Sequence, residues 1–321
     1  MAPPPTALPH RVLNVGRLPP PLMQRLQAAH DLVDLAAQPD AAAWLAAHGS
    51  TVEAVVTSAA VGITGDTIDA LPNLRVISSF GVGLDRLDVE RARARGIAVG
   101  YTPDVLNDCV ADAAFGLVID AARGLSAADR HVRRGDWARG VAYPLARKVS
   151  GAKLGLVGLG RIGRTIAHRS TGFDMPLRYH ARRPVPDVPW PHEPSLVDLA
   201  HWADILVVIT AGGPGTRHLV DAAVLDALGP EGFIVNVARG SVIDEAALVR
   251  ALVERRIAGA GLDVFEHEPN VPAELLALDT VVLLPHIASA TRETRQAMAD
   301  RVFDNLDRFF TEGRVISSAL D

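Results

Sequence analysis

The sequence predicts an α/β protein built from two Rossmann-like or flavodoxin-like, doubly wound parallel-sheet domains, with an active-site cleft between them. Short apolar runs of strand length alternate with alanine-rich helical stretches along the chain, a pattern typical of βαβ units. Most of these runs are continuously apolar, as expected of parallel strands covered on both faces. A length of 321 residues fits about two ordinary domains.

In chain order, the apolar runs predict a series of strands and two long helices. The predicted strands are "RVLNVG", "EAVVTS", "LRVISSF", "GIAVGY", "AKLGLVG", "LRYHA", "DILVVIT", "GFIVNVA", "IAGAGLDVF" and "TVVLLP". A helix over 103–124 is apolar on most of its surface and is expected to lie buried between the domains. A helix over 292–313 is amphipathic.

The last helix is expected to return to the first sheet, which would make the first domain discontinuous. The first predicted domain therefore comprises residues 1–100 plus 290–321, and the second comprises residues 101–289.

Composition excludes several classes of function. A net charge of −5 argues against binding to nucleic acid or to an anionic membrane surface, and no apolar run approaches the roughly 20 residues that span a bilayer. The single cysteine, Cys109, excludes an intrachain disulfide, predicts no metal site and fits the reducing cytoplasm. The N-terminal "MAPPPTALPH" lacks the basic and apolar regions of a secretory signal and is interpreted as a short flexible arm.

The segment "KLGLVGLGRIG" carries a G-x-G-x-x-G motif directly after a predicted strand. Gly158 allows a tight turn, Gly160 lets a pyrophosphate approach the backbone, and Gly163 lets helix and strand pack closely. The following helix N-terminus offers free N–H groups to the phosphates. Incidental glycines in a strand-to-helix turn are the alternative, but the flanking strand and helix favour dinucleotide binding.

The segment "LRYHARRP" lacks the acid that an NAD-preferring site places on the adenosine ribose. His180 and Ala181 stand there instead, followed by Arg182 and Arg183. Because guanidinium groups bind phosphate through charge-assisted hydrogen bonds, this pattern predicts NADP(H) as the preferred cofactor, with weaker use of NAD(H). A solvated basic turn is the alternative interpretation.

Three polar residues follow three predicted strands. Arg239 follows "FIVNVA", Glu268 follows "GLDVF", and His286 follows "VVLLP". Because ligands bind at the carboxyl ends of parallel strands, all three are expected in one region. Each alone could be structural or exposed, and Glu266 competes with Glu268.

Together these segments resemble the D-isomer-specific 2-hydroxyacid dehydrogenase family over nearly the whole chain. The matching segments are "LPNLRVISSFGVGLDRLDV", "GIAVGYTPDVLNDCVADAAFGLVI", "LGLVGLGRIG", "NVARGSVIDEAALVRAL", "GLDVFEHEP" and "LLPHIASAT". The sequence is most similar to the NADPH-linked glyoxylate/hydroxypyruvate reductases and the hydroxyphenylpyruvate reductases.

The resemblance implies that the first domain is the substrate-binding (catalytic) domain and the second the Rossmann dinucleotide-binding domain. It also implies that Arg239, Glu268 and His286 are the catalytic residues. One guanidinium can bind a 2-oxo acid's carboxylate and polarise its carbonyl, a protonated His286 can act as general acid, and Glu268 can orient and stabilise that imidazolium. Val82 and Gly83 would bind the substrate carboxylate through backbone N–H groups, together with Arg239 and His286. The implied cofactor-binding residues are Gly158, Gly160, Arg161, Ile162, Gly163, His180, Ala181, Arg182, Arg183, Thr210, Thr216, Val237, Ala238, Arg239, Asp263 (near the nicotinamide carboxamide) and His286.

The predicted activity is NADPH-dependent reduction of glyoxylate and hydroxypyruvate to glycolate and D-glycerate. Reduction of larger 2-oxo acids, such as phenylpyruvate or hydroxyphenylpyruvate, and a dinucleotide-sensing co-repressor are the alternatives. A cytoplasmic homodimer formed through the nucleotide-binding domain is also expected from the resemblance. Residues 137–145 could then reach a neighbouring active site, although core or interface packing is the simpler explanation for Trp137.

Overall fold

The computed structural model describes residues 10–320, which divide into two compact units. The first contains the described residues up to Leu106 and from Thr291 onward, and the second runs from Asn107 to Ala290. The predicted N-terminal arm lies, except for His10, outside the described residues.

The first unit contains a five-stranded parallel sheet in the order β2-β1-β3-β4-β5, the flavodoxin-like order. Its strands are β1 (Arg11–Asn14), β2 (Asp31–Asp34), β3 (Ala54–Ser58), β4 (Val76–Phe80) and β5 (Ala98–Gly100). Its α-helices are α1 (Pro20–Ala29), α2 (Ala41–His48), α3 (Gly65–Asp69), α4 (Val89–Ala94) and the last helix of the chain, α12 (Arg292–Glu312).

The last helix packs on the first sheet. The Ser78 hydroxyl on β4 donates to the Val302 carbonyl at 3.0 Å. Asn305, which is fully buried, donates to the Tyr101 carbonyl and accepts from the Ser317 backbone. The helix begins after Thr291, whose hydroxyl caps the Thr294 N–H, and ends at Gly313 in a left-handed conformation.

Strand β2 was missed by the sequence interpretation. It lies at the sheet edge, it has an aspartate at each end, and none of its four residues is buried. A short, half-exposed edge strand lacks the apolar run by which the other strands were found.

The second unit contains a six-stranded parallel sheet in the order β11-β10-β9-β8-β6-β7. Its strands are β6 (Leu154–Val157), β7 (Leu177–His180), β8 (Ile205–Val208), β9 (Phe233–Asn236), β10 (Gly259–Leu262) and β11 (Val281–Leu283). Its α-helices are α5 (Asn107–Arg123), α6 (Leu125–Arg133), α7 (Arg161–Thr171), α8 (Leu196–Trp202), α9 (Ala222–Leu228), α10 (Glu245–Val253) and α11 (Ala273–Leu276).

The chain places β7 on one side of β6 and β8 on the other, so the order in which strands are added to the sheet reverses at β6. A single parallel bridge pairs His192 with Tyr179 on the outer side of the edge strand β7. The third strand of the dinucleotide-binding order occupies this position. The predicted α/β class with two parallel sheets is confirmed. Ligands of such sheets bind at the carboxyl ends of the strands beside the reversal.

Helix α5 begins at Asn107, later than the predicted residue 103, because Asp104 has a left-handed φ of 70° that an α-helix cannot continue. Its buried side packs closely beneath β10, since a Cβ on Gly261 would lie 2.9 Å from the Leu117 Cβ. Within the described range, no helix combines the length and the apolar character that membrane crossing requires.

Candidate active site

The glycine loop connects β6 to α7, and its glycines meet three different requirements. Gly158 has a φ of 106°, and a Cβ there would lie 2.9 Å from the Thr210 Cα. A Cβ on Gly163 would lie 2.5 Å from the Gly158 carbonyl oxygen, so only glycine permits this packing. A Cβ on Gly160 would have no neighbour within 4 Å, which leaves the backbone open to a pyrophosphate.

Helix α7 begins at Arg161, so the N–H groups of Arg161, Ile162 and Gly163 belong to its first turn. The first N–H groups of a helix lack intrahelical partners and form an anion-binding site together with the helix dipole. The residues of this loop therefore fit the pyrophosphate of a dinucleotide.

The loop after β7 carries two arginines. Arg182 and Arg183 are exposed, and neither forms a side-chain hydrogen bond or ion pair with any residue from 10 to 320. The surrounding loop is fixed: the Tyr179 hydroxyl accepts from the Val185 N–H at 2.8 Å, and the His192 Nε2 lies 2.9 Å from the Ala181 carbonyl. The free guanidinium groups thus extend from an ordered backbone.

His180 ends β7, and its ring Nδ1 lies 3.0 Å from the Glu193 carbonyl oxygen. Glu193 in turn faces Arg178, with 3.6 Å between the Glu193 Oε2 and the Arg178 Nη1. Glu193 is therefore paired with Arg178 rather than with Arg182 or Arg183.

Glu268 and His286 form a hydrogen-bonded pair at the carboxyl ends of β10 and β11. The His286 Nδ1 lies 2.8 Å from the Glu268 Oε2, and the second oxygen of Glu268 accepts from the Phe265 N–H at 3.1 Å. The His286 Nε2 has no partner within residues 10–320. An imidazole bound to a carboxylate through Nδ1 presents Nε2 for proton transfer.

The charges around Glu268 keep it ionised. Desolvation of the carboxyl acts to raise its pKa, but the hydrogen bond and charge of His286, the Phe265 N–H and the charge of Arg239 outweigh it. The pKa of Glu268 is therefore below its ordinary value. An ionised Glu268 accepts a hydrogen bond from the imidazole Nδ1 that it contacts and so orients the ring.

Asp263 fixes the turn that carries His286. Its carboxylate accepts from the N–H groups of Ile287 at 2.7 Å and Ala288 at 2.9 Å, and its carbonyl accepts from the His286 N–H. Burial raises the pKa of this carboxyl, and the two N–H groups partly offset that effect. The turn places His286 at a φ of 55°, which is uncommon for a non-glycine residue.

Arg239 follows β9 in a tight loop. The Asn236 side chain donates to the Arg239 carbonyl and accepts from the Ala238 N–H, each at 3.0 Å. The Arg239 Nη1 donates to the Ala238 carbonyl at 2.8 Å, and Val237 and Ala238 are buried. Arg239, Glu268 and His286 thus follow three neighbouring strands, β9, β10 and β11.

Glu266, the competing acid, has other partners. Its Oε1 lies 2.8 Å from the Arg217 Nη2 and 3.1 Å from the His218 Nε2. The structure therefore pairs His286 with Glu268. The roles of Asp263 in the histidine turn and of Glu266 in a separate ion-pair cluster were missed by sequence reasoning, because both depend on contacts between distant segments.

The remaining predicted residues lie in loops. Val82 and Gly83 follow β4 in the first unit and are half-buried. Thr210 follows β8 and packs on Gly158, whereas the Thr216 hydroxyl is bonded within its own loop to the Ala211 carbonyl at 2.8 Å. Among the described residues, no group of three or more His, Cys, Asp or Glu could hold a metal ion.

Residues 115–288 match the family model described as "D-isomer specific 2-hydroxyacid dehydrogenase, NAD binding domain". The chain is 46% identical over 290 residues to a glyoxylate/hydroxypyruvate reductase A of Arabidopsis thaliana, a match that covers 90% of this chain and 92% of the relative. It is 45% identical over 290 residues to the hydroxyphenylpyruvate reductase of Plectranthus scutellarioides, with the same coverage of 90% and 92%.

A similar solved structure is that of an NADPH-dependent glyoxylate/hydroxypyruvate reductase from Sinorhizobium meliloti, in complex with NADP and malonate. Its TM-score is 0.89 at 43% sequence identity, and the match covers 97% of this chain and 96% of the other.

Proposed function

Because the chain belongs to the D-isomer-specific 2-hydroxyacid dehydrogenases, we propose that it reduces small 2-oxo acids to D-2-hydroxy acids with NADPH, glyoxylate and hydroxypyruvate being the preferred substrates. The observation that carries this proposal is the hydrogen-bonded pair of Glu268 and His286, beside Arg239, at the carboxyl ends of three adjacent strands. The relatives named for glyoxylate and hydroxypyruvate reduction support the choice of substrates.

The residues that hold the cofactor divide by the part of NADPH that they meet. The glycine loop at Gly158, Gly160 and Gly163 and the first turn of α7 bind the pyrophosphate. Arg182 and Arg183 would bind the 2′-phosphate. A carboxylate at position 180 would repel that phosphate. Thr210, Thr216, Val237, Ala238 and Asp263 line the rest of the cofactor path. When bound, NADPH supplies the hydride.

His286 supplies the proton. Reduction adds a hydride to the carbonyl carbon of the 2-oxo acid and moves the carbonyl electron pair onto oxygen, which then needs a proton. Protonated His286 donates it from Nε2 and becomes neutral, and Glu268 stabilises the charged imidazole before this transfer. Reduction therefore consumes one proton per turnover.

Arg239 binds the substrate carboxylate and polarises the carbonyl, which stabilises the negative charge that develops on oxygen. The resemblance to the family also implies Val82 and Gly83 as substrate-binding residues. This arrangement favours 2-oxo acids over simple aldehydes and ketones, because these lack the carboxylate.

A second candidate substrate class is favoured by one observation. The relative that is 45% identical is a hydroxyphenylpyruvate reductase, so larger, aromatic 2-oxo acids are the alternative. The reaction and catalytic residues are the same in both cases, and only the side-chain pocket differs.

The test is a panel of glyoxylate, hydroxypyruvate, phenylpyruvate and hydroxyphenylpyruvate, each with NADPH and with NADH, followed by the loss of reduced-nicotinamide absorbance. We expect the highest kcat/KM for glyoxylate or hydroxypyruvate with NADPH. Higher kcat/KM for the aromatic acids would support the alternative, and no oxidation of NADPH with any of the acids would refute the proposal.

We also propose a homodimer in the cytoplasm. The second unit carries large exposed apolar side chains close together in sequence between α5 and β6, among them Trp137 at 72% exposure and a fully exposed Leu145, and they support a subunit interface. Sedimentation of the purified protein tests the dimer. The single Cys109 suits the reducing environment of the cytoplasm.

A further inference from the structure

Glu266 lies where three segments of the second unit meet. One is the segment after Thr216, one is the turn after Arg239, and one is the loop between β10 and Glu268. Among residues 10–320, the hydrogen bonds and ion pairs of the Glu266 side chain go to Arg217 and His218 and not to the catalytic pair.

The side chain of Glu266 binds the first of these segments. Its Oε1 accepts from the Arg217 Nη2 at 2.8 Å and contacts the His218 Nε2 at 3.1 Å, and the side chain is only 13% exposed. Desolvation acts to raise the pKa of Glu266, but His218 and Arg217 outweigh it and lower the pKa. Glu266 is therefore a charged anchor rather than a proton donor.

The backbone on both sides of Glu266 is fixed as well. The Glu266 N–H donates to the Glu245 Oε2 at 3.0 Å. The preceding N–H, that of Phe265, donates to the Glu268 Oε1 at 3.1 Å. A rotation of the chain at Glu266 would therefore turn the Phe265 N–H away from the catalytic carboxylate.

The same backbone supports the turn that carries Arg239. A Cβ on Gly240 would lie 1.9 Å from the Phe265 carbonyl carbon and 2.3 Å from the Glu266 nitrogen. Residue 240 therefore has to be glycine, because its backbone packs directly on the peptide between Phe265 and Glu266. Any displacement of that peptide is transmitted to Arg239.

A contact between the first and second segments completes a closed set. The His218 N–H donates to the Ser241 carbonyl at 2.8 Å, while its ring contacts Glu266. His218 holds a left-handed φ of 50°, a conformation that a non-glycine residue keeps when its surroundings fix it.

Resting on the proposed function, we propose that Glu266 is a positioning residue of the reductase, which directs the Phe265 N–H onto Glu268 and supports the turn of Arg239. Glu266 acts through Glu268 and Arg239 and does not contact the substrate. Loss of its carboxylate should impair catalysis more than cofactor binding.

The test compares Glu266→Gln and Glu266→Ala with Glu254→Gln, a matched control in which an exposed glutamate paired with Arg256 is neutralised away from the site. We expect kcat to fall about tenfold to a hundredfold in the alanine variant, by analogy with residues that orient the ligands of a metal. The glutamine variant retains an acceptor oxygen and should lose less. The Kd for NADPH, measured by fluorescence, should change by less than about twofold, since the glycine loop is untouched.

A second measurement is independent of turnover. The side-chain carboxyl carbon of Glu268 is followed by NMR against pH in glutamate-labelled protein. Because the Phe265 N–H stabilises the charged carboxylate, its loss should raise the pKa of Glu268 in both variants. Removal of the Glu266 charge alone would move that pKa down, so the direction distinguishes positioning from simple electrostatics.

An unchanged or lowered pKa of Glu268 in the variants, together with a kcat near that of Glu254→Gln, would overturn the proposal. A wild-type protein without reductase activity would refute the proposed function instead, and the Glu268 titration would still decide the role of Glu266. If Glu266→Ala fails to fold, Glu266→Gln carries both measurements.

Discussion

Two sets of loops follow the carboxyl ends of strands in the same sheet, and they differ in whether their charged side chains are paired. The loop after β7 leaves Arg182 and Arg183 exposed and without partners among residues 10–320. The loops after β10 and β11 pair their acids: Glu268 with His286, and Glu266 with Arg217 and His218. The arginines of the first loop are thus left unpaired by residues 10–320, whereas the acids of the other loops are paired within the protein.

The physical reason is the difference in desolvation. An exposed guanidinium is stable in water and gains charge-assisted hydrogen bonds only when a phosphate arrives. A partly desolvated carboxylate such as Glu268 needs partners in the protein itself, because desolvation disfavours its charged form. Substitutions in the catalytic loops should therefore affect kcat, and substitutions in the arginine loop should affect cofactor affinity.

The largest effect is expected for His286→Asn. Asparagine tolerates the left-handed φ of this position better than most residues, but it cannot donate the proton. Loss of a general acid lowers kcat by about 10²- to 10⁴-fold, while the Kd for NADPH should stay near the wild-type value. Steady-state kinetics and a fluorescence titration measure the two quantities.

The exposed His201 on α8 provides the control, and His201→Asn should leave kcat unchanged. A pure dinucleotide sensor would show no reductase activity in the wild type and would keep its cofactor affinity in the variant. Wild-type kcat in His286→Asn would remove His286 from the mechanism.

A smaller effect is expected for Glu268→Gln. The amide keeps the shape of the side chain but cannot stabilise an imidazolium, so kcat should fall by about tenfold to a hundredfold. The variant also tests the pH dependence of stability. Because the folded pKa of Glu268 is below its unfolded value, its stabilisation is present above the unfolded pKa and is lost as the pH falls through the folded pKa.

Urea denaturation of the wild type and Glu268→Gln measures the difference in their free energies of unfolding. It is carried out at neutral pH and at a pH below the folded pKa of Glu268. The wild type should be the more stable protein at neutral pH, and the gap should close in acid. A gap that is constant with pH would mean that the charge of Glu268 contributes nothing to folding.

The fold and the family were predictable from sequence because their signals are local. Continuous apolar runs identified every strand except β2, whose aspartates and edge position remove that signal. The spacing of Gly158, Gly160 and Gly163 identified the phosphate loop, and the open space at Gly160 and crowding at Gly163 follow from it. The predicted family is confirmed by the match over residues 115–288.

The interior of the site was less predictable because its contacts join distant segments. Strand ends indicated where Arg239, Glu268 and His286 lie, but a strand end does not fix the direction of a side chain. The sequence therefore left Glu266 as a competitor of Glu268, and it gave no sign that Asp263 binds the N–H groups of Ile287 and Ala288. Those choices depend on loop geometry that no periodic pattern encodes.

The smallest effect on turnover, and the most selective effect on the cofactor, is expected for Arg182→Ala and Arg183→Ala. A hydrogen bond to a charged group contributes about 1.5–3 kcal/mol, so the KM for NADPH should rise by roughly tenfold to a hundredfold. The KM for NADH, which lacks the 2′-phosphate, and the kcat at saturating NADPH should change little. Arg250→Ala on α10 removes an exposed arginine away from this loop and serves as the control. Equal changes for both cofactors, or a wild type that prefers NADH, would make Arg182 and Arg183 a solvated basic turn, and the contrast between free and paired charges would then have no bearing on the nucleotide.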